Sequence, residues 1–338
     1  MDDHWVWDGS LIEGDDGEWH LFASRWPKRL PMHPSWLLES EIVRATAPTA
    51  TGPFTFREVV LPERDPVFFD ARMTHNPSIR RVGDTYLLFY IGVTYGVDAP
   101  DDPTRYPSED VHRTDPWLRE VWLRKRIGLA TSDSLAGPWR RMDEPLLLPR
   151  ADRWDNGTSS NPSPWVEPDG SIYLAYKSAN VSSGTRLRPF RIGLARAEAW
   201  DRPFERVLDH PVLPPTGTEG SVEDPYLFRE GDGLWHLLVK DLSGVASGHK
   251  GHGLHATSED AIHWHWDEPM HAYGLDVRWR HGDGGGVRHE TLTHIERPQL
   301  VFDREGRATH FTAACARGGG DLQGLTDTWV GVWPLSSE

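Results

Sequence analysis

The residues of this chain best suited to chemistry are acids that open an apolar run, usually beside a proline. Glu223 and Asp224 begin "EDPYLFREGDGLWHLLVKD", and Asp8 stands second in "WDGSLIEGDDGEWHLFAS". Carboxylates that converge in a buried place repel one another, and at least one pKa rises, which separates a proton donor from an ionised partner. Such a pair can cleave an acetal: one carboxyl protonates the leaving oxygen while the other activates water or attacks carbon. His75 and Asn76 in "HNPSIRRVGDTYLLFYIG", Asn161 in "SNPSPWVEPDGSIYLAYKS", and Glu296 and Arg297 in "ERPQLVFDREGRATHFTAA" hold the same place in three further segments.

These five segments are copies of one repeat: a polar pair, an apolar stretch, a Gly-centred turn and an alternating aromatic strand. The turns, Asp-Gly, Gly-Asp or Glu-Gly between strand-like runs, are hairpin chemistry. A second element follows the first four hairpins, as in "RIGLATSDSLAGPWRRM" and "RIGLARAEAWDRPFERV", and the last copy shortens to "TWVGVWPL". Units of about four strands spaced roughly 60 to 85 residues apart predict an all-β, five-bladed β-propeller, four antiparallel strands per blade, with an axial pocket. Residues 1–338 are expected to form this single propeller. The stretches 27–40, 93–120, 180–190 and 271–295 read as loops over one mouth, with a short helix suited to 115–125.

The frame aligns Asp8, Asn76, Asn161, Asp224 and Arg297, and one residue earlier Trp7, His75, Ser160, Glu223 and Glu296. Asn-Pro and Asp-Pro also begin strands through turn chemistry alone. That does not require His, Glu and Arg beside them.

The five hairpins, the first-blade Asp and the fourth-blade Glu ahead of a Pro resemble the five-bladed propeller glycosidases, glycoside hydrolase family 43 and its relatives, families 32, 62, 68 and 117. The resemblance implies an exo-acting hydrolase removing a terminal furanose or pyranose with inversion. A phosphorylase or transglycosidase, and a non-catalytic carbohydrate-binding propeller, are the alternatives. By family 43 positions the base is Asp8 and the acid Glu223. The third-blade Asp is here Asn161, so Asp224 or Glu296 would have to supply the tuning charge. Family 117 implies a His acid instead, and "SGHKGHGLH" offers His252, then His249. "FASRWP" offers Arg25 to clamp a substrate oxygen and Trp26 to stack on a ring, with Lys240 and Asp241 in the corresponding place of the fourth blade. His75, Asn76, Asn161, Glu296 and Arg297 are expected polar ligands of the substrate. No cofactor is required, though the resemblance implies that the polar ring could hold a structural calcium ion on the axis.

Composition narrows the partners. The 338 residues carry a net charge of −15 without a basic stripe, which argues against nucleic acid. The single Cys315 excludes an internal disulfide and a cysteine zinc site. Seventeen Trp suit the flat faces of sugars as well as a core. No apolar run approaches the ~20 residues that cross a bilayer, so no membrane partner is expected. "MDDHWVWDGS" has no basic leader or apolar signal core, which as given reads as cytoplasmic, or as secreted or periplasmic if a signal has been removed. Oligomeric state stays open.

Overall fold

In the computed structural model, which describes residues 2–96, 115–181, 189–214, 220–231, 233–280, 286–303, 305–319, 322 and 324–335, each repeat folds as one antiparallel sheet. The first strands are His4–Glu13, Met73–Val82, Ser160–Val166, Val222–Arg229 and His294–Phe302. Each contacts the first strand of the next blade, and the fifth contacts the first, so these strands line the axis of a five-bladed propeller. Strands consecutive in sequence are neighbours in space throughout. Blades one to four have four strands, while the fifth, whose last element is the shortened copy, has three among the described residues. Second strands such as Thr85–Val93 are buried on both faces, which is why they read as unbroken apolar runs rather than alternating ones.

One irregularity recurs in every blade. The register between first and second strand slips at Trp7/Gly9, at His75/Ser78, opposite Ala175/Lys177, at Glu223/Tyr226 and at Glu296/Gln299. The residue in the slip is Asp8, Asn76, Asn161, Asp224 or Arg297, and each has a left-handed backbone with φ between 50 and 55°. Asp and Asn tolerate that conformation better than other residues with a Cβ. The bulge bends the strand and re-aims the residues at its axial end.

Two residues further on, serines tie the blades together. Ser10 Oγ accepts from the Ile79 N–H (3.0 Å) and donates to Gln299 Oε1 (2.8 Å), and Ser163 Oγ accepts from the Leu227 N–H (2.8 Å). Ser163→Ala is therefore expected to leave a buried amide unpaired and cost about 1–3 kcal/mol in urea unfolding. A loss below about 0.5 kcal/mol would mean that water replaces the hydroxyl.

Blades two and three share a second motif. Buried Asp70 accepts from Arg64 (2.7 Å), Tyr90 (2.6 Å) and Arg141 (3.3 Å), and buried Asp155 accepts from Arg150, Tyr176 and Arg206 (2.9 Å each). The Gly of each "RIGLA" makes room for the tyrosine: a Cβ on Gly193 would lie 2.3 Å from the Tyr176 ring, and one on Gly128 2.6 Å from Tyr90.

The segments expected as loops hold more structure than the composition suggested. Residues 27–40 contain the helical segment Met32–Glu39, interrupted by extended backbone at His33, and 271–295 contain the hairpin Asp276–Arg280 with Val287–Thr291. Trp279 of this hairpin packs on Trp329 and Trp333 of the last strand, which is what holds it in place. The short helix is Pro116–Leu123, capped by the Asp115 carboxylate on the Leu118 N–H. Residues 97–114, 182–188 and 281–285 of the expected loops lie outside the described residues. No helix among the described residues is long and apolar enough to cross a membrane.

Among the described residues the ring closes without strand exchange, because blade one is built from the first four strands and blade five from the last three. Side-chain contacts make the seam: Val6 N–H donates to Thr328 Oγ1 (2.9 Å), Thr312 Oγ1 donates to Gly9 O (3.3 Å), and Gly9 faces Val330 at a distance no Cβ would allow. Cys315 is fully buried in blade five, and burial pushes its thiol up to about 12.

Candidate active site

The bulges bring the polar ends of all five first strands to one cavity of ≈ 230 Å³ on the axis. Asp8, Trp26, His75, Asn76, Asn161, Glu223, Asp224, Lys240, Glu296 and Arg297 all line it. Arg25 and His252 do not.

Asp8 is completely buried. Its Oδ2 accepts from Asn76 Nδ2 (2.7 Å) and Ser24 Oγ (3.2 Å) and lies 3.0 Å from His75 Nε2, while Oδ1 has no hydrogen bond and faces Arg297 Nε at 3.6 Å. Burial raises the Asp8 carboxyl to about 7; Arg297 opposes the rise, and the Asp224 charge adds to it. Burial, with Arg297 and Lys125 nearby, holds His75 well below the usual imidazole range, so it is neutral. Its Nδ1 shares a hydrogen bond with the Ser40 hydroxyl (2.8 Å), which fixes the ring beside Asp8.

Asp224 is also buried, and both its oxygens are engaged, by Asn161 Nδ2 (2.6 Å) and the Arg297 N–H (3.0 Å). Burial and then the neighbouring Glu223 charge raise its carboxyl. Asn76, Asp8, Arg297, Asp224 and Asn161 thus form an arc around the axis, with the Arg297 guanidinium between the two aspartates.

Glu223 sits differently. Its Oε2 accepts from Lys177 Nζ (2.9 Å), its Oε1 from Lys240 Nζ (3.3 Å), and Lys240 also bonds Glu296. Burial alone would raise the Glu223 carboxyl, but the two ammonium groups outweigh it and hold the group below its ordinary value. Glu296 is lowered in the same way, by Lys240 and His294 against burial. The environment expected to make ionisation of Glu223 costly therefore makes it easy. The rise falls on Asp8 and Asp224 instead.

Register explains why some expected site residues lie elsewhere. Lys240 pairs with Glu223, Lys177 with Ser160 and Ser24 with Trp7, so the true counterpart of Lys240 in blade one is Ser24, one residue before Arg25. Successive strand residues face opposite sides. Arg25 consequently points away from the axis, pairs with Glu41 (2.8 Å) and lies over Phe56, whereas Trp26 faces the cavity. His252 is bonded to His271 (2.6 Å) and stacked on His249, outside the cavity lining; the neighbours that do reach the cavity are Lys250 and Gly251. Asp241 is buried beneath this loop and accepts from the Gly244, Ala246 and Ser247 amides, so it shapes the loop.

Cavity residues that the sequence pattern did not single out include Lys177, Lys125, Trp36, Trp122 and His294. Lys177 could have been found, since "YKS" occupies the register of "VKD". Trp36 and Trp122 come from the two short helices, whose docking no repeat encodes.

Oxygens of Glu223, Asp224 and Glu296 lie within 4.8 Å of one another, the grouping a calcium ion would use. The donor set does not fit one. Lys177 and Lys240 already occupy the glutamates, and Asp224 has both oxygens bonded, so the positive charge expected from a metal is supplied by lysines.

No family model matches the chain, and no curated protein matches it by sequence. Solved structures do match along its whole length. An RGII complex of BT0996 superposes with a TM-score of 0.67 at 12% identity, over 99% of this protein and 88% of its counterpart. The fold is the five-bladed β-propeller. A family 117 glycoside hydrolase from the marine bacterium Zobellia galactanivorans gives a TM-score of 0.64 at 16% identity over 98% of this propeller and 84% of that enzyme. An exo-1,5-α-L-arabinanase from a bovine ruminal metagenomic library gives 0.59 at 13% identity, covering 100% of this propeller and 95% of its counterpart.

Proposed function

We propose that this propeller is a glycoside hydrolase that removes a terminal sugar, acting through Asp8 and Glu223 in one axial cavity. The observation that carries the reading is the convergence of carboxylates from blades one and four in a buried pocket walled by Trp7, Trp26, Trp36 and Trp122. The glycoside hydrolases among the matched structures support the reading at the level of fold. Met32, His33 and Trp36 of Met32–Glu39 and Trp122 of Pro116–Leu123 line the cavity beside the first strands, and a terminal sugar is the ligand proposed for it.

The division of labour follows from the charges. An acid must be protonated while its partner is ionised, and carboxylates whose environments push their pKa values apart announce these roles. Family positions assign the base to Asp8 and the acid to Glu223. At one pH that order needs a proton on the glutamate that two lysines hold ionised. The reverse order needs no rearrangement. Asp8, raised to about 7 with Oδ1 free of hydrogen bonds, donates to the leaving oxygen, and ionised Glu223 activates water. Trp26 and Trp36, which hold His75 between them, fix the ring that orients Asp8.

A panel of aryl furanosides and pyranosides, assayed with wild type beside Glu223→Gln, tests the reading. Turnover of at least one glycoside by wild type, with loss in the variant, is expected. A folded wild type that cleaves none, with ligand affinity unchanged in Asp8→Asn and Glu223→Gln, would instead describe a sugar-binding propeller.

A further inference from the structure

Of the buried lysines on the cavity wall, two have carboxylate partners and one does not. Lys177 serves Glu223, and Lys240 serves Glu223 and Glu296. Lys125 is 2% exposed, lines the same cavity, and has no carboxylate in ion-pair range among the described residues. Its ammonium lies 3.6 Å from the Trp122 ring centroid and 5.4 Å from that of Trp36. Aromatic faces recover part of the cost of burying a cation, about 0.5–2 kcal/mol, but they accept no conventional hydrogen bond. Burial, then the charge of Lys177, holds the Lys125 ammonium well below the ordinary lysine range, while Glu223 opposes the fall. A buried amino group set against Trp122 with no carboxylate partner is suited to an anion, which would supply the charge that holds its proton.

The charge of the whole wall agrees. The chain carries −15, yet the cavity is lined by five Lys and Arg side chains against four carboxylates. A pocket built for a neutral sugar has no use for a cationic excess placed against the trend of the molecule. Lys125 reaches the cavity because helix Pro116–Leu123 ends just before it and strand Arg126–Ser132 begins just after it, so its backbone is fixed on both sides. Lys250, exposed in the loop after blade four, adds a second cation to the lining.

We infer that Lys125 anchors an oxyanion of the ligand, either the carboxylate of an acidic sugar or a phosphate that enters with the sugar, so that the cavity selects anionic over neutral ligands. The inference rests on the proposed sugar site but not on its catalysis, so binding tests it alone.

Calorimetric titration of wild type, Lys125→Met and Lys125→Arg with glucuronate, galacturonate, glucose, galactose and inorganic phosphate provides the measurement. The variants are expected to retain the native near-UV circular dichroism, because Met keeps the stem and its contacts with Trp122. At least one anion is expected to bind wild type about tenfold or more tighter than the neutral sugars, with Lys125→Met removing the preference and Lys125→Arg keeping part of it. Preference for the uronates identifies a sugar carboxylate, and preference for phosphate identifies a phosphate subsite. Equal binding of anions and neutral sugars by wild type overturns the inference, as does an anion preference that survives in Lys125→Met. If Lys125→Met does not fold, the wild-type comparison and Lys125→Arg still decide. Anion preference without hydrolysis of any glycoside leaves this site standing and removes the hydrolase reading. Hydrolysis of neutral glycosides with no anion preference does the opposite.

Discussion

Asp8→Asn is expected to lower kcat/KM on a cleaved aryl glycoside by about 10²–10⁴, the usual worth of a positioned general acid. Asn is nearly isosteric and keeps an acceptor for Asn76 and Ser24, so the fold should be unchanged and the loss should reside in proton transfer. The pH profile carries the sharper result. With a carboxyl raised to about 7, wild-type activity should fall as pH rises through about 7, because the proton that Asp8 donates is then lost. In Asp8→Asn that limb should vanish. The deficit should also narrow on a dinitrophenyl glycoside, whose leaving group departs without a proton. Activity that instead rises with pH through about 7, with an undiminished deficit on the activated substrate, would assign Asp8 the base's role that its position in the family frame implies.

Lys240→Met should produce the largest loss of stability, about 3–5 kcal/mol at neutral pH, since it strips one cation from two buried glutamates at once. The pH dependence has a definite sign. Glu223 and Glu296 have folded-state pKa values below their unfolded ones, so the stability they confer is present above the unfolded value near 4.5 and is lost as pH falls through the folded values. Without Lys240 that contribution disappears, and the glutamates protonate more readily. The gap between variant and wild type should therefore be widest at pH 7 and should shrink towards pH 4. Urea unfolding at the two values measures it. A gap below about 1 kcal/mol at both would mean that Lys177 and His294 suffice for the pair.

The axial set was legible because a backbone requirement spells it out. Five bulges demand a left-handed residue, and Asp and Asn meet that demand at four of them, so the aligned positions Asp8, Asn76, Asn161 and Asp224 could be read as one level of a ring. Arg297 breaks the pattern, and its φ of 54° shows that alignment, not residue type, identified it. What could not be read was the second strands' contribution. A one-residue displacement exchanges the two faces of a strand, which is why Ser24 faces the axis and Arg25, the residue the repeat frame suggests, points away. The electrostatics turn on the same strands: neighbouring acids in sequence suggest repulsion at Glu223, but Lys240 comes from the paired second strand of the same blade and Lys177 from the second strand of blade three. Lys125 depended on helix Pro116–Leu123, which belongs to no repeat.

The hairpin over blade five gives the molecule an internal clock. Cys315 is the chain's only thiol, is fully buried, and is suppressed as a thiolate by burial, so a thiol-specific reagent meets nothing reactive on the closed ring. Its side chain packs with Val277, Leu292 and Ile295, on the face of blade five that the hairpin of Asp276–Arg280 and Val287–Thr291 covers. The rate at which the reagent labels native protein therefore times the lifting of that cover, a motion separate from any opening of the axial ring.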